Sequence, residues 1–214
     1  LNIGPVGVTG SDSANWAAER ADVILSVGSR LQDFTTGSWT AFSHDAQFIS
    51  LNSARHDAAK HRSMPVVGDA KLGLAALQSA LGERCADPAW TKEAQAQRQI
   101  WDHTVIETVR AGDNRPNSYA QAIGVVNALV ADHDRVVAAA GGLPAEVTAN
   151  WRTLKTGTVD VEFGFSCMGY EIAGAWGARI AQSEKEPEAD TISFVGDGSY
   201  LMLNSDIYSS VLTG

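Results

Sequence analysis

Gly196-Asp197-Gly198-Ser199 is the stretch of this sequence whose residue types can do chemistry together. It follows an apolar run at residues 191–195 and precedes a helical stretch at 200–212. Glycines at the carboxyl end of a strand let the backbone turn tightly and approach a phosphate closely. A helix starting there aims its free N–H groups at the anion. Asp197 cannot face a phosphate directly, because like charges repel. It suits a divalent cation that bridges carboxylate and phosphate. Taken alone, these residues are also explained by a tight turn with no chemistry.

A second segment, Ser166-Cys167-Met168-Gly169, lies upstream and leads into a helix rich in small residues. Met168 alone reads as a filler of irregular core space. Cys167 has no histidine or basic neighbour to favour its thiolate, so it reads as packing. The five histidines do not pair at ligand spacing with a carboxylate or cysteine. His44, His56 and His61 fall in polar, loop-like sequence, His103 on a charged helix and His133 in a turn. All five read as solvated. Trp176, on the small-residue helix, reads as packing at an interface.

The elements that must position these residues follow from periodicity. Residues 22–27, 48–52 and 65–69 read as strands, the first two as buried apolar runs. Residues 13–20 read as a helix. Asp69 can cap a helix at 70–81, with Leu72, Leu74, Leu77 and Leu81 on it and Gly82 closing it. Residues 89–111 carry helical spacing and end in the turn 112–116. Asn117 or Ser118 caps a helix to 131, and 135–140 is a strand running into Gly141-Gly142-Leu143-Pro144. An irregular stretch follows. Strands alternating with helices predict a parallel α/β fold in both halves. The expected division is 1–82, a connecting helix at 83–116, and 117–214.

The 214 residues are 44% hydrophobic and 19% charged, ordinary globular composition. The net charge of −9, without a cluster of Lys and Arg, argues against nucleic acid and anionic membranes as partners. Two distant cysteines argue against a disulfide framework or zinc site and fit a reducing, cytoplasmic setting.

In their order, the two segments resemble the thiamine-diphosphate (ThDP) dependent enzymes. Gly196-Asp197-Gly198-Ser199 matches the opening of the diphosphate motif, and Ser166-Cys167-Met168-Gly169 matches the segment that holds the aminopyrimidine ring. The stretches 163–174 and 196–205 are most similar to the branch of cyclic 1,2-dione hydrolases of inositol catabolism. Residues 5–10, 28–36, 140–144, Trp151 and Arg152 are similar to the same branch.

The resemblance implies a Rossmann-like central domain, truncated at its N-terminus, followed by part of a ThDP-binding parallel α/β domain. It implies ThDP and Mg²⁺ as cofactors, with Asp197 as metal ligand. Gly196, Gly198 and Ser199 would contact phosphate or metal. Met168 would be the apolar wedge under the bent cofactor, and the backbone at Ser166 and Met168 would bond the aminopyrimidine edge. Many family members have glycine where Ser166 stands; serine is tolerated there if its φ is negative. The second metal ligand, an asparagine, would lie roughly 25–30 residues after Asp197. The activating glutamate would belong to an N-terminal domain, so no catalytic residue is expected within this chain.

The implied reaction is C–C hydrolysis of a cyclic dione to 5-deoxyglucuronate by a homodimer or homotetramer. The rivals are an acetolactate-synthase-like carboligase or lyase of 2-oxo acids and a non-catalytic nucleotide-binding or interaction module. The central domain shows no Gly-x-Gly-x-x-Gly fingerprint, and whether it binds a nucleotide stays open in the sequence. Residues 1–82 look like the more complete unit and are expected to be the better protected half.

Overall fold

The computed structural model describes residues 1–110, 117–139 and 141–213. The expected closing turn at 112–116 lies outside these residues. The chain divides into two compact units, Leu1–His103 and Thr104–Gly214. The division falls within a single long helix.

The first unit runs α1 (Asp12–Arg20), β1 (Val23–Val27), α2 (Asp33–Thr36), β2 (Gln47–Asn52), α3 (Arg55–Ala58), β3 (Met64–Val67), α4 (Ala70–Leu81) and most of α5 (Pro88–Val109). Its sheet is parallel, in the order β1-β2-β3. Ser11 caps α1 by accepting from the Ala14 N–H, and Asp69 caps α4 by accepting from the Leu72 N–H at 2.9 Å. Trp90 of α5 stacks on Trp16 of α1, with ring centroids 5.4 Å apart.

The second unit contains α6 (Tyr119–Leu129), β4 (Arg135–Ala138), α7 (Leu143–Asn150), β5 (Val159–Val161), α8 (Tyr170–Ser183), β6 (Thr191–Phe194) and α9 (Asp197–Thr213). Its sheet is parallel in the order β5-β4-β6, so β4 is flanked on both sides. Ile123, Val136, Ala138, Val147 and Trp151 form a buried apolar cluster around β4. Asp134 ties the turn before β4 to the loop before β6 by accepting from the Ala131 and Asp190 N–H groups. Alternating strands and helices around parallel sheets are the α/β fold that the sequence predicts.

Several local expectations differ. β1 is not a buried strand: Ser26 alone is buried, while Val23, Leu25 and Val27 share the opposite, exposed face. Period-two alternation puts those three side chains on one side of the sheet. α4 buries no residue, and Leu72 is 72% exposed. α9 starts at Asp197, before Tyr200, and is kinked at Leu203 (φ −130°, ψ 26°). The irregular stretch before Phe163 holds α7 and the short strand β5. Among the described residues, no helix is long and apolar enough to cross a membrane.

Candidate functional site

At the carboxyl ends of β4 and β6, a cavity of about 710 Å³ is lined by Gly141, Gly142, Leu143, Ser166, Met168, Val195 and residues 196–199, with Tyr119 at its side. The six residues singled out in the sequence, Ser166, Met168, Gly196, Asp197, Gly198 and Ser199, all line this one cavity. Parallel α/β sheets bind ligands outside the carboxyl ends of their strands.

One side of the cavity is built by β6 and α9. Ser193 of β6 donates to the Glu171 carbonyl at 2.6 Å, fixing the strand against α8. The chain then turns through Gly196, and Tyr200 N–H returns to the Gly196 carbonyl at 2.9 Å as α9 begins. The first turn of α9 therefore lies at the cavity with N–H groups that an α-helix leaves without an internal partner. Asp197 is exposed there, and its Oδ1 accepts from the Gly198 N–H at 2.8 Å. Ser199 is buried.

Met168 does not fill a core. It is 45% exposed, lines the cavity, and its methyl group lies over Gly198. A Cβ on Gly198 would stand 2.7 Å from Met168 Cε, so the glycine makes room for the methionine. Gly169 (φ +93°) is similarly closed off by Leu203 at the kink of α9, which holds the start of α8 against α9. Cys167, expected as packing, is exposed and free.

Ser166 departs from expectation. Its φ is +51°, not negative. The left-handed conformation costs a residue with a Cβ about 1–2 kcal/mol, so something must hold it. Glu162 does so. Its backbone N–H is anchored on the Ala138 carbonyl of β4 at 3.0 Å. Its carboxylate accepts from the Phe165 N–H at 2.8 Å and the Cys167 N–H at 3.0 Å. These N–H groups, Cys167 first, hold the Glu162 carboxyl below the usual glutamate range, with Gly164 and Ser166 adding to the effect.

At the far end of the loop, the buried Glu171 accepts from the Gly169 N–H at 3.1 Å through Oε2. Asp160 of β5 accepts from the Tyr170 hydroxyl at 2.9 Å, which pushes the phenol above its ordinary range. The sequence reading missed Glu162, Glu171 and Asp160. The available signal was acidic residues at alternate positions, Asp160 and Glu162, leading into a glycine-containing loop.

Four of the histidines are exposed and His133 is half-buried. His61 is less isolated than its loop-like context suggests, because its ring lies 3.7 Å from that of Trp39, centroid to centroid. Partial burial there pushes its imidazole below the usual range, with the Lys60 charge adding to it. Among the described residues, no group of three or more His, Cys, Asp or Glu side chains could hold a metal ion.

Residues 1–77 match the family model described as "Thiamine pyrophosphate enzyme, central domain". Residues 139–212 match "Thiamine pyrophosphate enzyme, C-terminal TPP binding domain". The chain belongs to the thiamine pyrophosphate enzymes. The cavity is lined largely by residues within the second match. Curated relatives of this thiamine pyrophosphate enzyme chain include a 3D-(3,5/4)-trihydroxycyclohexane-1,2-dione hydrolase of Geobacillus thermodenitrificans. It is 37% identical, with all of this chain aligned to 36% of the relative. Proteins of the same name from Bacillus cereus and Clostridium botulinum are 34% and 32% identical over 98% and 99% of this chain, again 36% of each relative. The chain therefore spans little more than a third of the curated relatives it matches.

Proposed function

We propose that this chain supplies the central domain and the start of the diphosphate-binding domain of a ThDP- and Mg²⁺-dependent hydrolase. Its substrate is a cyclic 1,2-dione, trihydroxycyclohexane-1,2-dione, opened to 5-deoxyglucuronate in inositol catabolism by a cytoplasmic homo-oligomer. The observation that carries the reading is the convergence of Ser166, Met168 and residues 196–199 on one cavity. The name shared by the relatives supports ring opening over carboligation.

The residues present suit the cofactor. Asp197 is an exposed carboxylate beside the first turn of α9, where a divalent cation can join it to a diphosphate. Gly196 leaves open space where a Cβ would stand, so backbone and anion can approach. The start of α9 offers N–H groups and a positive dipole end to the phosphates. When bound, ThDP supplies the electron sink for the carbanion left by C–C cleavage. Met168, reaching over Gly198, would shape the space for the cofactor, and the backbone at Ser166 and Met168 would hold its pyrimidine edge.

The two roles separate by substitution in the full-length enzyme. Asp197→Ala should weaken Mg²⁺-dependent ThDP binding at least as much as the roughly 100-fold that outer-shell substitutions at metal sites reach. Met168→Ala should retain Mg²⁺ and diphosphate binding yet lower kcat about tenfold, because it misplaces the reacting groups without releasing them. Calorimetry and steady-state kinetics read the two effects. Wild-type affinity in Asp197→Ala would sink the reading.

A further inference from the structure

The geometry points to Glu162 as the positioning residue that sets the cofactor-facing loop at 163–169, giving the pyrimidine edge a preformed backbone partner. The inference rests on the ThDP reading above and adds a residue to it.

Three observations converge. First, Glu162 is fixed to the sheet. It directly follows β5, and its N–H bonds the Ala138 carbonyl at 3.0 Å. Second, its carboxylate spans the turn and accepts from the N–H groups of Phe165 and Cys167 at 2.8 and 3.0 Å. These are the neighbours on either side of Ser166, and Cys167 directly precedes Met168. Third, the middle of the loop lies at the surface. Phe165 is 88% exposed, and Ser166, Cys167 and Met168 are exposed as well. Ser166 nevertheless sits at φ +51°. A carboxylate accepting two backbone donors in a turn is a local scaffold. It selects one backbone arrangement from the many an exposed loop can sample.

The site thus divides its labour. Asp197 and the start of α9 serve the diphosphate end. Glu162 serves the pyrimidine end without touching the ligand. Glu171 closes the loop at Gly169, where its Oε2 accepts at 3.1 Å.

The test uses two ligands, Mg²⁺–ThDP and Mg²⁺–pyrophosphate, the second lacking a pyrimidine. Calorimetry on the full-length enzyme compares wild type, Glu162→Gln, Glu162→Ala and Asp197→Ala. Glu162→Ala should weaken ThDP about tenfold while pyrophosphate changes by less than about twofold, the charge-assisted bonds lost belonging to the 163–169 loop and not to the start of α9. Glu162→Gln keeps the side-chain size and one acceptor, and should show a smaller loss in the same direction. Asp197→Ala should weaken both ligands. Ser166→Gly in the Glu162→Ala background should restore part of the ThDP affinity, because glycine adopts positive φ unaided. Equal loss of both ligands in the Glu162 variants would reduce the residue to general folding and overturn the inference. So would unchanged ThDP affinity in both Glu162 variants alongside the loss in Asp197→Ala. A wild-type enzyme that binds pyrophosphate but not ThDP would overturn the cofactor reading itself, and this inference with it.

Discussion

The two units share an alternation of strands and helices, yet they bury different chemistry. In the second unit β4 carries Val136, Val137 and Ala138, each fully buried, and Ile123, Val147 and Trp151 close around it. In the first unit the buried positions of the sheet are largely polar, with Ser26, Ser50 and Asn52 among them. The hydroxyls of Ser26, Ser50 and Ser63 are buried without a hydrogen-bond partner. Of the apolar side chains of that sheet, Leu51 is buried, while Val23, Leu25, Val27, Met64, Val66 and Val67 are exposed. An apolar strand is therefore not the same as a buried one. What decides is which alternate face the chain covers.

This contrast argues against the expectation that residues 1–82 form the better protected half. The largest test of the contrast is hydrogen exchange on the 214-residue chain. The amides of β4 should exchange slowest, near the global unfolding limit, and those of β3 many times faster. Slower exchange in β3 than in β4 would restore the original expectation.

Substitution sharpens the same contrast. Ile123→Ala removes a fully buried side chain and should destabilise the second unit by about 2–5 kcal/mol. Leu72→Ala, on the exposed face of α4, should stay within about 0.5 kcal/mol. Denaturant unfolding followed separately in each unit checks both.

A smaller effect concerns pH. Glu162 is held below the ordinary glutamate range by backbone N–H groups, first that of Cys167. Its contribution is therefore present above the ordinary range, where the unfolded chain is also ionised. It is lost as pH falls through the depressed folded value, because the unfolded state then binds more protons. An NMR titration should place the Glu162 midpoint below about 4.3, and Glu162→Gln should remove this part of the acid-side loss. The smallest effect expected is that of Ser166→Gly alone. Relief of the left-handed serine, partly offset by the freer unfolded chain, should raise stability by no more than about 1 kcal/mol. Thermal unfolding reads it.

Much of this was legible in the residues. Asp69 and Ser118 are polar caps placed before helical periodicity, and each accepts the bond its position implies. The cavity residues were legible from two segments taken together in their order, Ser166-Cys167-Met168-Gly169 and Gly196-Asp197-Gly198-Ser199, since the second alone also fits a plain tight turn. What was not legible depends on contacts distant in sequence. The leucines of α4 carry an apolar signal, but the signal does not say whether anything covers them. Leu203 looks like an ordinary helical residue, yet it breaks α9 where it packs on Gly169. Serine at 166 does not meet the negative-φ condition, and the carboxylate that bonds its two neighbours belongs to Glu162, in a stretch that reads as irregular. β5 has three residues, too few for a period to emerge.

The central claim is that one cavity joins a metal ligand at the start of α9 to a pyrimidine-facing loop at 163–169. A crystal structure of the full-length enzyme with ThDP and Mg²⁺ tests it most directly. The account predicts an Asp197 carboxylate oxygen on the metal at about 2.0–2.1 Å, Met168 against the bend of the cofactor, and the pyrimidine edge bonded to backbone at Ser166 or Met168. A cofactor seated elsewhere, or a metal that leaves Asp197 uncoordinated, would contradict it.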